Sequence, residues 1–228
     1  ETPSFTGATE EFTYASYCPG IWSSGPVMII ANQGYSGRAG IQSSFSTVAS
    51  SGDQDSHEIY NGTAWGLHTC YPTPGRSLAG AGADADNTVY FGGFPGHANT
   101  NEWNGVSWSA TGNLITALYY NTGAGTQDSA GTVMGYNGAY RACHENYNGS
   151  TWSTATASPI VMQLPGAGGS SADSHGYAGG GDYTEGVSSS GTTGVWNGSS
   201  WSEEPSLTTT RYANAGNGTV NAWLVFGG

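Results

Sequence analysis

One hexapeptide recurs along the chain, and this repeat constrains the fold more than any other sequence feature. Each copy begins with Tyr or Trp, continues with Asn-Gly and ends with Trp. The four copies occupy residues 60–65, 103–108, 147–152 and 196–201. Their terminal tryptophans are spaced by 43, 44 and 49 residues. A period of this length is typical of repeat proteins whose unit is a small antiparallel sheet.

The Asn-Gly pair at the centre of each copy predicts a β-hairpin. A type I′ turn needs positive φ at both central residues, and Asn-Gly is the favoured sequence for it. The flanking aromatic residues, such as Tyr60 and Trp65, are then expected to pair across the two strands.

Two further landmarks follow each copy of the hexapeptide. A glycine within a run of small residues lies 17 positions after each tryptophan, at Gly82, Gly125, Gly169 and Gly218. An apolar strand that ends in two glycines comes next, most clearly at 89–93 and 224–228. The order of landmarks is therefore the same in successive repeats.

The first repeat has lost most of these landmarks. Counting back 17 positions from Gly34 gives Tyr17 as the counterpart of the repeat tryptophan, and Trp22, 43 positions before Trp65, is the alternative. The predicted structural anchors are Tyr17, Trp65, Trp108, Trp152, Trp201, Gly34, Gly82, Gly125, Gly169 and Gly218.

The two ends of the chain together supply a fifth repeat. The repeat that starts at Trp201 stops at Gly228, and residues 1–16 have the length of its missing remainder. Pairing the two ends would close a ring of sheets and remove exposed strand edges. We therefore predict an all-β, single-domain, five-bladed β-propeller over residues 1–228, and a piece of a longer array is the alternative. The predicted repeats are 17–64, 65–107, 108–151, 152–200, and 201–228 completed by 1–16.

The last repeat carries a family resemblance most clearly. It reads Trp201-Ser202, then Thr209-Thr210-Arg211, then Ala215-Gly216-Asn217-Gly218, then Phe226-Gly227-Gly228. This pattern resembles the Kelch-like repeats of predicted tail and surface proteins of aquatic bacteriophages and some bacteria. It departs from Kelch repeats proper, which more often have six or seven blades and an earlier double glycine. The resemblance implies a propeller in an extracellular or virion-surface setting and says little about a ligand.

The charge balance excludes some partners. The chain has 4 Arg, no Lys and 16 carboxylates, for a net charge of −12. A nucleic-acid interface needs a basic stripe, which four arginines cannot form. The longest apolar run, at 27–31, is far shorter than the ~20 residues of a membrane span. We expect no nucleic acid and no membrane insertion.

No catalytic motif stands out, and we predict that the chain is not an enzyme. His57-Glu58 and His144-Glu145 occupy the same repeat slot in two blades, so they point to separate places and favour a structural role. A propeller glycosidase would need two carboxylates facing one another at a set separation. Arg76 and Arg211 also share a slot, where an arginine can bond groups of the neighbouring blade or anchor an acidic ligand.

Metal and disulfide chemistry have weak candidates. Asp53/Asp55 and Asp84/Asp86 could supply oxygen ligands to calcium, although Asp is also common in turns, and no cofactor is predicted. The cysteines are Cys18, Cys70 and Cys143. A Cys18–Cys70 bridge is one alternative, and three buried small residues are the other.

Four Asn-x-Ser/Thr sequons are candidate glycosylation sites: Asn61, Asn148, Asn197 and Asn217. Three of them lie in the Asn-Gly hexapeptide, where the turn already demands this sequence. The sequons therefore predict accessible positions and leave occupancy open.

The sequence as a whole favours binding or assembly. We expect an extracellular or virion-associated structural or adhesive propeller that assembles with copies of itself or binds another surface or virion protein. The alternative is a multivalent, lectin-like propeller with a glycan bound per blade. The irregular stretches 17–60 and 183–194 are candidate places for specificity.

Overall fold

The computed structural model describes residues 10–15, 18–29, 37–41, 44–49, 55–180 and 189–228, and the side chains of residues 25–29, 55–180 and 189–228. Within these residues every regular element is a β-strand. The all-β prediction is therefore confirmed. None of the described elements is an apolar helix of membrane-spanning length.

The described strands form four complete sheets, named I to IV, and two half-sheets. Sheet I contains β3 (Gly37–Ile41), β4 (Ser44–Ala49), β5 (Ser56–Tyr60) and β6 (Trp65–Leu67). Sheet II contains β7 (Ala79–Asp84), β8 (Asn87–Phe91), β9 (Thr100–Trp103) and β10 (Trp108–Ala110). Sheet III contains β11 (Thr122–Gly125), β12 (Ala130–Val133), β13 (His144–Tyr147) and β14 (Trp152–Thr154). Sheet IV contains β15 (Gly166–Ser171), β16 (Ser174–Ala178), β17 (Thr193–Trp196) and β18 (Trp201–Glu204).

The two half-sheets are single hairpins near the ends of the chain. The N-terminal half-sheet contains β1 (Glu10–Ala15) and β2 (Cys18–Ser24). The C-terminal half-sheet contains β19 (Asn214–Thr219) and β20 (Ala222–Gly227). Each has two strands where the complete sheets have four.

Each complete sheet is a meander in which consecutive strands are hydrogen-bonded neighbours. In sheet II, Thr88 lies opposite Trp103, which lies opposite Trp108. A meander places the first and third turns at one end of the sheet. The second turn and the link to the next sheet lie at the other end. We name these ends the hairpin face, with the Asn-Gly loops, and the connection face, with segments such as 92–99 and 111–121.

The first strands of successive sheets pack against one another: β3 on β7, β7 on β11, β11 on β15, and β15 on β19. They are rich in Ala and Gly because their backbones approach closely. A Cβ added at Gly216 would lie 2.5 Å from the Ala167 carbonyl oxygen. The anchors Gly82, Gly125, Gly169 and Gly218 all lie in these strands, whereas Gly34 is outside the described residues. This succession of four-stranded sheets is consistent with a β-propeller.

The Asn-Gly hairpins form where the hexapeptides predicted them, but the turn type was wrong. Tyr147 lies opposite Trp152, so four residues make the loop rather than two. The Asn148 Oδ1 accepts the backbone N–H of Ser150 at 3.1 Å and of Thr151 at 2.9 Å. Gly149 has a φ of +85°, and Asn148 is not among the residues with positive φ. Side-chain capping by Asn, with one left-handed glycine, replaces the two left-handed residues of a type I′ turn.

The same loop recurs in sheets I, II and IV. The Oδ1 atoms of Asn61, Asn104 and Asn197 each accept two backbone N–H groups at 2.9–3.0 Å. The predicted aromatic pairing is confirmed, with ring centroids 5.5 Å apart for Tyr60–Trp65 and 4.9 Å apart for Tyr147–Trp152. The hexapeptide thus encodes both the loop and the cross-strand pair beside it.

The core lies between neighbouring sheets and is densest around the second strands. Val89, Tyr90 and Phe91 of β8 are fully buried. In contrast, Leu224 of β20 is 39% exposed. The second strand of the C-terminal half-sheet therefore lacks the cover that its counterpart in sheet II has.

The N-terminal half-sheet precedes sheet I in the same way that each complete sheet precedes the next. Trp108 of sheet II donates its indole N–H to the Thr69 carbonyl, just after sheet I, at 2.9 Å. Trp65 of sheet I donates to the Pro26 carbonyl, just after β2, at 3.1 Å. Among the described strands, β1 is hydrogen-bonded only to β2 and β20 only to β19.

The register of the first hairpin bears on the degenerate repeat. Phe12 lies opposite Trp22, as Tyr60 lies opposite Trp65. Tyr17, the predicted anchor, is outside the described residues. The tryptophan at the alternative position thus has an aromatic cross-strand partner.

Candidate functional site

The candidate site lies on the connection face between sheets II and III, where three segments bring five aromatic side chains together. Phe94 follows β8, Tyr119 and Tyr120 precede β11, and Tyr136 and Tyr140 follow β12. We call these five residues the tyrosine cluster. All five side chains are half-buried.

Tyr119 is the centre of the tyrosine cluster. Its ring centroid lies 5.2 Å from that of Phe94, 4.9 Å from that of Tyr120 and 5.3 Å from that of Tyr136. Tyr140 extends the cluster, 5.1 Å from Tyr136. These edge-to-face contacts have the separations preferred by aromatic pairs.

The cluster borders an open depression of about 500 Å³. Its lining residues are Pro95, Gly96, Ala117, Tyr119, Asn137 and Gly138. Small residues make the floor, and Tyr119 supplies the one large side chain among the lining residues. The depression thus combines an aromatic wall with an open floor.

Backbone hydrogen bonds fix the two segments that carry the tyrosines. Tyr119 and Tyr136 each donate a backbone N–H to the other's carbonyl, at 3.0 and 2.8 Å. Tyr120 has a φ of +58° and donates its N–H to the Ser77 carbonyl at 3.1 Å. A non-glycine residue in this conformation is strained, so the surrounding contacts must hold it there.

The strained conformation recurs at one slot of the repeat. Five positions before the landmark glycines, φ lies between +54° and +60° at Ser77, Tyr120, Leu164 and Ala213. The residue types differ completely, so sequence reasoning had no signal for this slot. The slot turns the chain into the first strand of each following sheet.

A buried glutamate anchors the segment that carries Ala117 and Tyr119. Glu145 is 1% exposed, and its carboxylate accepts the backbone N–H groups of Ile115 and Thr116, both at 2.9 Å. Glu58, in the same repeat slot, accepts the N–H of Ile29 at 2.8 Å. Both glutamates therefore bind the segment that precedes their own sheet.

Two histidine–tryptophan boxes lie between other pairs of sheets, each with two histidines and two tryptophans. The first box contains His57, His68, Trp103 and Trp108, and the second contains His144, His175, Trp196 and Trp201. In the second box the two Nε2 atoms lie 3.1 Å apart. The Nδ1 atoms face the carbonyls of Thr156 and Ser171.

Burial lowers the pKa of three imidazoles in these boxes, those of His57, His144 and His175. Burial, and then the neighbouring His68, lower the pKa of His57 to about 4. Burial, and then the neighbouring His144, lower the pKa of His175 to about 4. Burial also lowers the pKa of His144. The boxes act as packing between sheets, and no carboxylate is bonded to these rings in the described region.

Of the acidic candidates for calcium, Asp55, Asp84 and Asp86 are among the described residues. The Asp84 Oδ1 accepts the N–H of Asp86 and the side-chain N–H of Asn87, both at 2.9 Å, within the β7–β8 turn. Asp53 is outside the described residues, and Asp55 directly precedes β5 of sheet I. Among the described residues no group of three or more His, Cys, Asp or Glu could hold a metal ion.

The side chains of Arg76 and Arg211 each contact the sheet that they precede, and the expected bonds to groups of a neighbouring blade stay a prediction. The Arg76 guanidinium lies 4.3 Å from the centroid of Phe94, which follows the second strand of the same sheet. Arg211 donates to the Gly227 carbonyl of the half-sheet it precedes. The connection segments fold back on the sheet they enter, which brings these side chains to their own second strand.

The two cysteines with described side chains are not fully buried: Cys70 is exposed and Cys143 is half-buried, so the expected burial of Cys70 was wrong. Cys70 and Cys143 are free thiols, so the alternative of a Cys18–Cys70 bridge is wrong. The four sequon asparagines are all exposed: Asn61, Asn148, Asn197 and Asn217. The first three accept backbone N–H groups of their own loop through Oδ1, and the side-chain nitrogen takes no part in those bonds.

Sequence reasoning missed the tyrosine cluster. The only available signal was the aromatic doublet Tyr119-Tyr120 close to a second pair, Tyr136 and Tyr140, outside the repeated hexapeptide. The stretches that were expected to carry specificity, 17–60 and 183–194, fall partly outside the described residues.

The comparisons with known proteins support the fold. No family model matches the chain, and no curated protein matches it. Among solved structures, the chain is similar to one titled "Structure of YjhT", with a TM-score of 0.65 and 10% sequence identity. The alignment covers 81% of this chain and 69% of that one. The neighbour has a fold of the β-propeller type, and at this identity the likeness carries the fold alone.

Proposed function

We propose that this chain is a non-enzymatic, extracellular or virion-surface propeller with an adhesive or structural role. It binds a surface partner, or copies of itself, through its connection face. We also propose that sheets I to IV and the two half-sheets together form the five blades of a closed ring.

Closure of the ring is supported by where the half-sheets attach. The N-terminal half-sheet precedes sheet I, as the bond from Trp65 to Pro26 indicates. The C-terminal half-sheet follows sheet IV, since β19 packs on β15. One hairpin supplies an inner pair of strands and the other an outer pair, so pairing β20 with β1 completes a fifth blade and covers Leu224.

The observation that carries the binding role is the concentration of half-exposed aromatic and exposed aliphatic side chains on the connection segments. Besides the tyrosine cluster, Val27, Ile29 and Ile115 are 65%, 51% and 57% exposed. Large apolar groups left in water commonly mark interaction surfaces. The polar groups that looked catalytic, such as Glu145 and His144, are buried and engaged in internal contacts.

A matched pair of substitutions tests the face. Ile115→Ser removes an exposed aliphatic group from the connection face, and Val106→Ser removes one from the hairpin face. Sedimentation velocity over a wide concentration range measures self-association of each variant. We expect Ile115→Ser to weaken association and Val106→Ser to leave it unchanged. Equal behaviour of both variants and the parent chain would contradict assembly through this face.

Glycan binding is the second candidate function, and the tyrosine cluster favours it. The cluster occurs between sheets II and III, and the contacts between sheets III and IV hold no equivalent set among their described residues. We therefore expect one strong glycan site per chain rather than one glycan site per blade.

A further inference from the structure

The depression beside the tyrosine cluster is open to solvent and large enough to hold a small molecule. Its volume of about 500 Å³ lies within the range of roughly 300–1,000 Å³ that is usual for ligand pockets. Tyr119 is held between Phe94 and Tyr136 and is fixed through its backbone to Tyr136. Its ring is therefore a preorganised platform at the edge of the depression.

The floor of the depression is open. A Cβ added at Gly96 or Gly138 would meet no atom within 4 Å. Pro95 and Ala117 are the other small residues that line it. A ligand ring lying against Tyr119 therefore meets no side chain that would need to move.

The polar side chains that line the depression are those of Asn137 and Tyr119. The Asn137 Oδ1 accepts the Arg141 Nε–H at 2.8 Å, which leaves the Asn137 side-chain nitrogen and the other Arg141 N–H groups as donors. Burial, followed by the nearby Tyr136 and Tyr120, raises the pKa of Tyr119, so its hydroxyl keeps its proton at neutral pH. No carboxylate is among the lining residues.

The Tyr119 ring and the open depression beside it favour ligands that present a flat face to an aromatic ring. Nucleobases and sugar rings both do so. A nucleic acid is opposed by the net charge of −12, because binding to phosphates requires a basic surface. A sugar presents hydroxyl groups that both donate and accept hydrogen bonds, and these match the Asn137 side-chain nitrogen and the Tyr119 hydroxyl at the depression. We propose that this depression binds one saccharide per chain, stacked on Tyr119. The proposal rests on the adhesive function above and specifies its partner as a surface glycan.

Isothermal titration calorimetry tests the proposal with defined probes: cellohexaose, mannohexaose, chitohexaose and, as an acidic arm, hexagalacturonate. We expect saturable binding of at least one probe with a stoichiometry of one per chain. Ala117→Trp fills the depression and should weaken that binding at least about tenfold. Val106→Trp adds the same ring on the opposite face and should leave affinity unchanged.

A second matched pair separates stacking from folding. Tyr119→Ser removes the platform, whereas Tyr212→Ser changes a tyrosine in the same repeat slot, six positions before the landmark glycine, outside the depression. Thermal melts establish that each variant is folded. Binding by none of the probes, or binding that survives both Ala117→Trp and Tyr119→Ser, would overturn the saccharide site. Concentration-dependent association in sedimentation would remain in that case, so failure of this site and failure of the proposed function are distinguishable.

Discussion

The hairpin face and the connection face of the same sheets differ in how far they repeat. On the hairpin face, each hexapeptide loop has the same length and the same Asn cap, with a Tyr–Trp or Trp–Trp pair beneath it. On the connection face, the segments share a strained slot but differ in sequence, and the tyrosine cluster lies between sheets II and III. The hairpin face thus follows the sequence repeat, and the connection face carries the candidate site.

The largest expected effect is a loss of stability in acid. It should come from protonation of the histidines in the two histidine–tryptophan boxes. The folded-state pKa of His57 and of His175 is about 4, against an ordinary value of 6.5. Between these values the unfolded chain binds more protons than the folded chain, so stability is fully present above about pH 6.5 and falls as pH approaches 4. The loss is roughly 3 kcal/mol for each histidine. Urea unfolding at neutral and at mildly acidic pH measures it.

A variant provides the control for this pH effect. His57→Gln cannot take up a proton, so its free energy of unfolding should depend less on pH than that of the parent chain. If the parent chain unfolds with the same free energy at both pH values, the boxes do not have the buried character described above.

Substitution of Glu145 should have the next largest effect on stability, because its carboxylate holds the segment that leads to the candidate site. Glu145→Ala leaves two backbone N–H groups without their acceptor and should lower the free energy of unfolding by about 3 kcal/mol. Glu204→Ala, at an exposed position of β18, should change it by less than about 0.5 kcal/mol. Chemical denaturation of both variants measures the difference. Similar small losses would mean that Glu145 does not anchor the segment at Ile115 and Thr116.

The Asn caps of the hairpin face should contribute less. Asn148→Ala removes the acceptor for two N–H groups in an exposed loop, and we expect a loss of about 1 kcal/mol. Asn148→Asp keeps an acceptor oxygen and should be close to neutral, although it also removes the sequon. Melting temperatures of the two variants measure this. An equally large loss for Asp would show that capping by the side-chain oxygen is not the source of the stability.

The tyrosine cluster should show the smallest effect on stability. Tyr140 lies at the edge of the cluster, and Tyr140→Ala should lower the free energy of unfolding by about 0.5 kcal/mol or less. Denaturation under the conditions used for Asn148→Ala compares the two faces directly. A loss larger than that of Asn148→Ala would indicate that the connection face stabilises the fold, and the contrast between the faces would fail.

Much of the scaffold could be predicted because its physical requirements repeat. A glycine is required wherever first strands crowd a neighbouring backbone, as at Gly216, and an aromatic pair is required at each hairpin, as at Tyr147 and Trp152. The turn type was missed because Asn-Gly alone does not reveal that the two following residues also belong to the loop.

The candidate site could not be predicted in the same way. Phe94 follows the second strand of sheet II and Tyr119 precedes sheet III, and their rings meet only because the two sheets approach each other on the connection face. The slot that turns Tyr120 toward the cluster has a different residue in every repeat. Contacts between sheets at non-repeating positions leave no periodic trace in the sequence.

The most direct test of the proposed role of the connection face is a cryo-EM structure of the purified native material. We expect a closed ring of five four-stranded blades in which β20 pairs with β1. We also expect density for a neighbouring copy or a glycan on the connection face, next to Tyr119. An open ring, or neighbours that meet through the Asn-Gly loops while the depression at Tyr119 stays empty, would contradict this assignment.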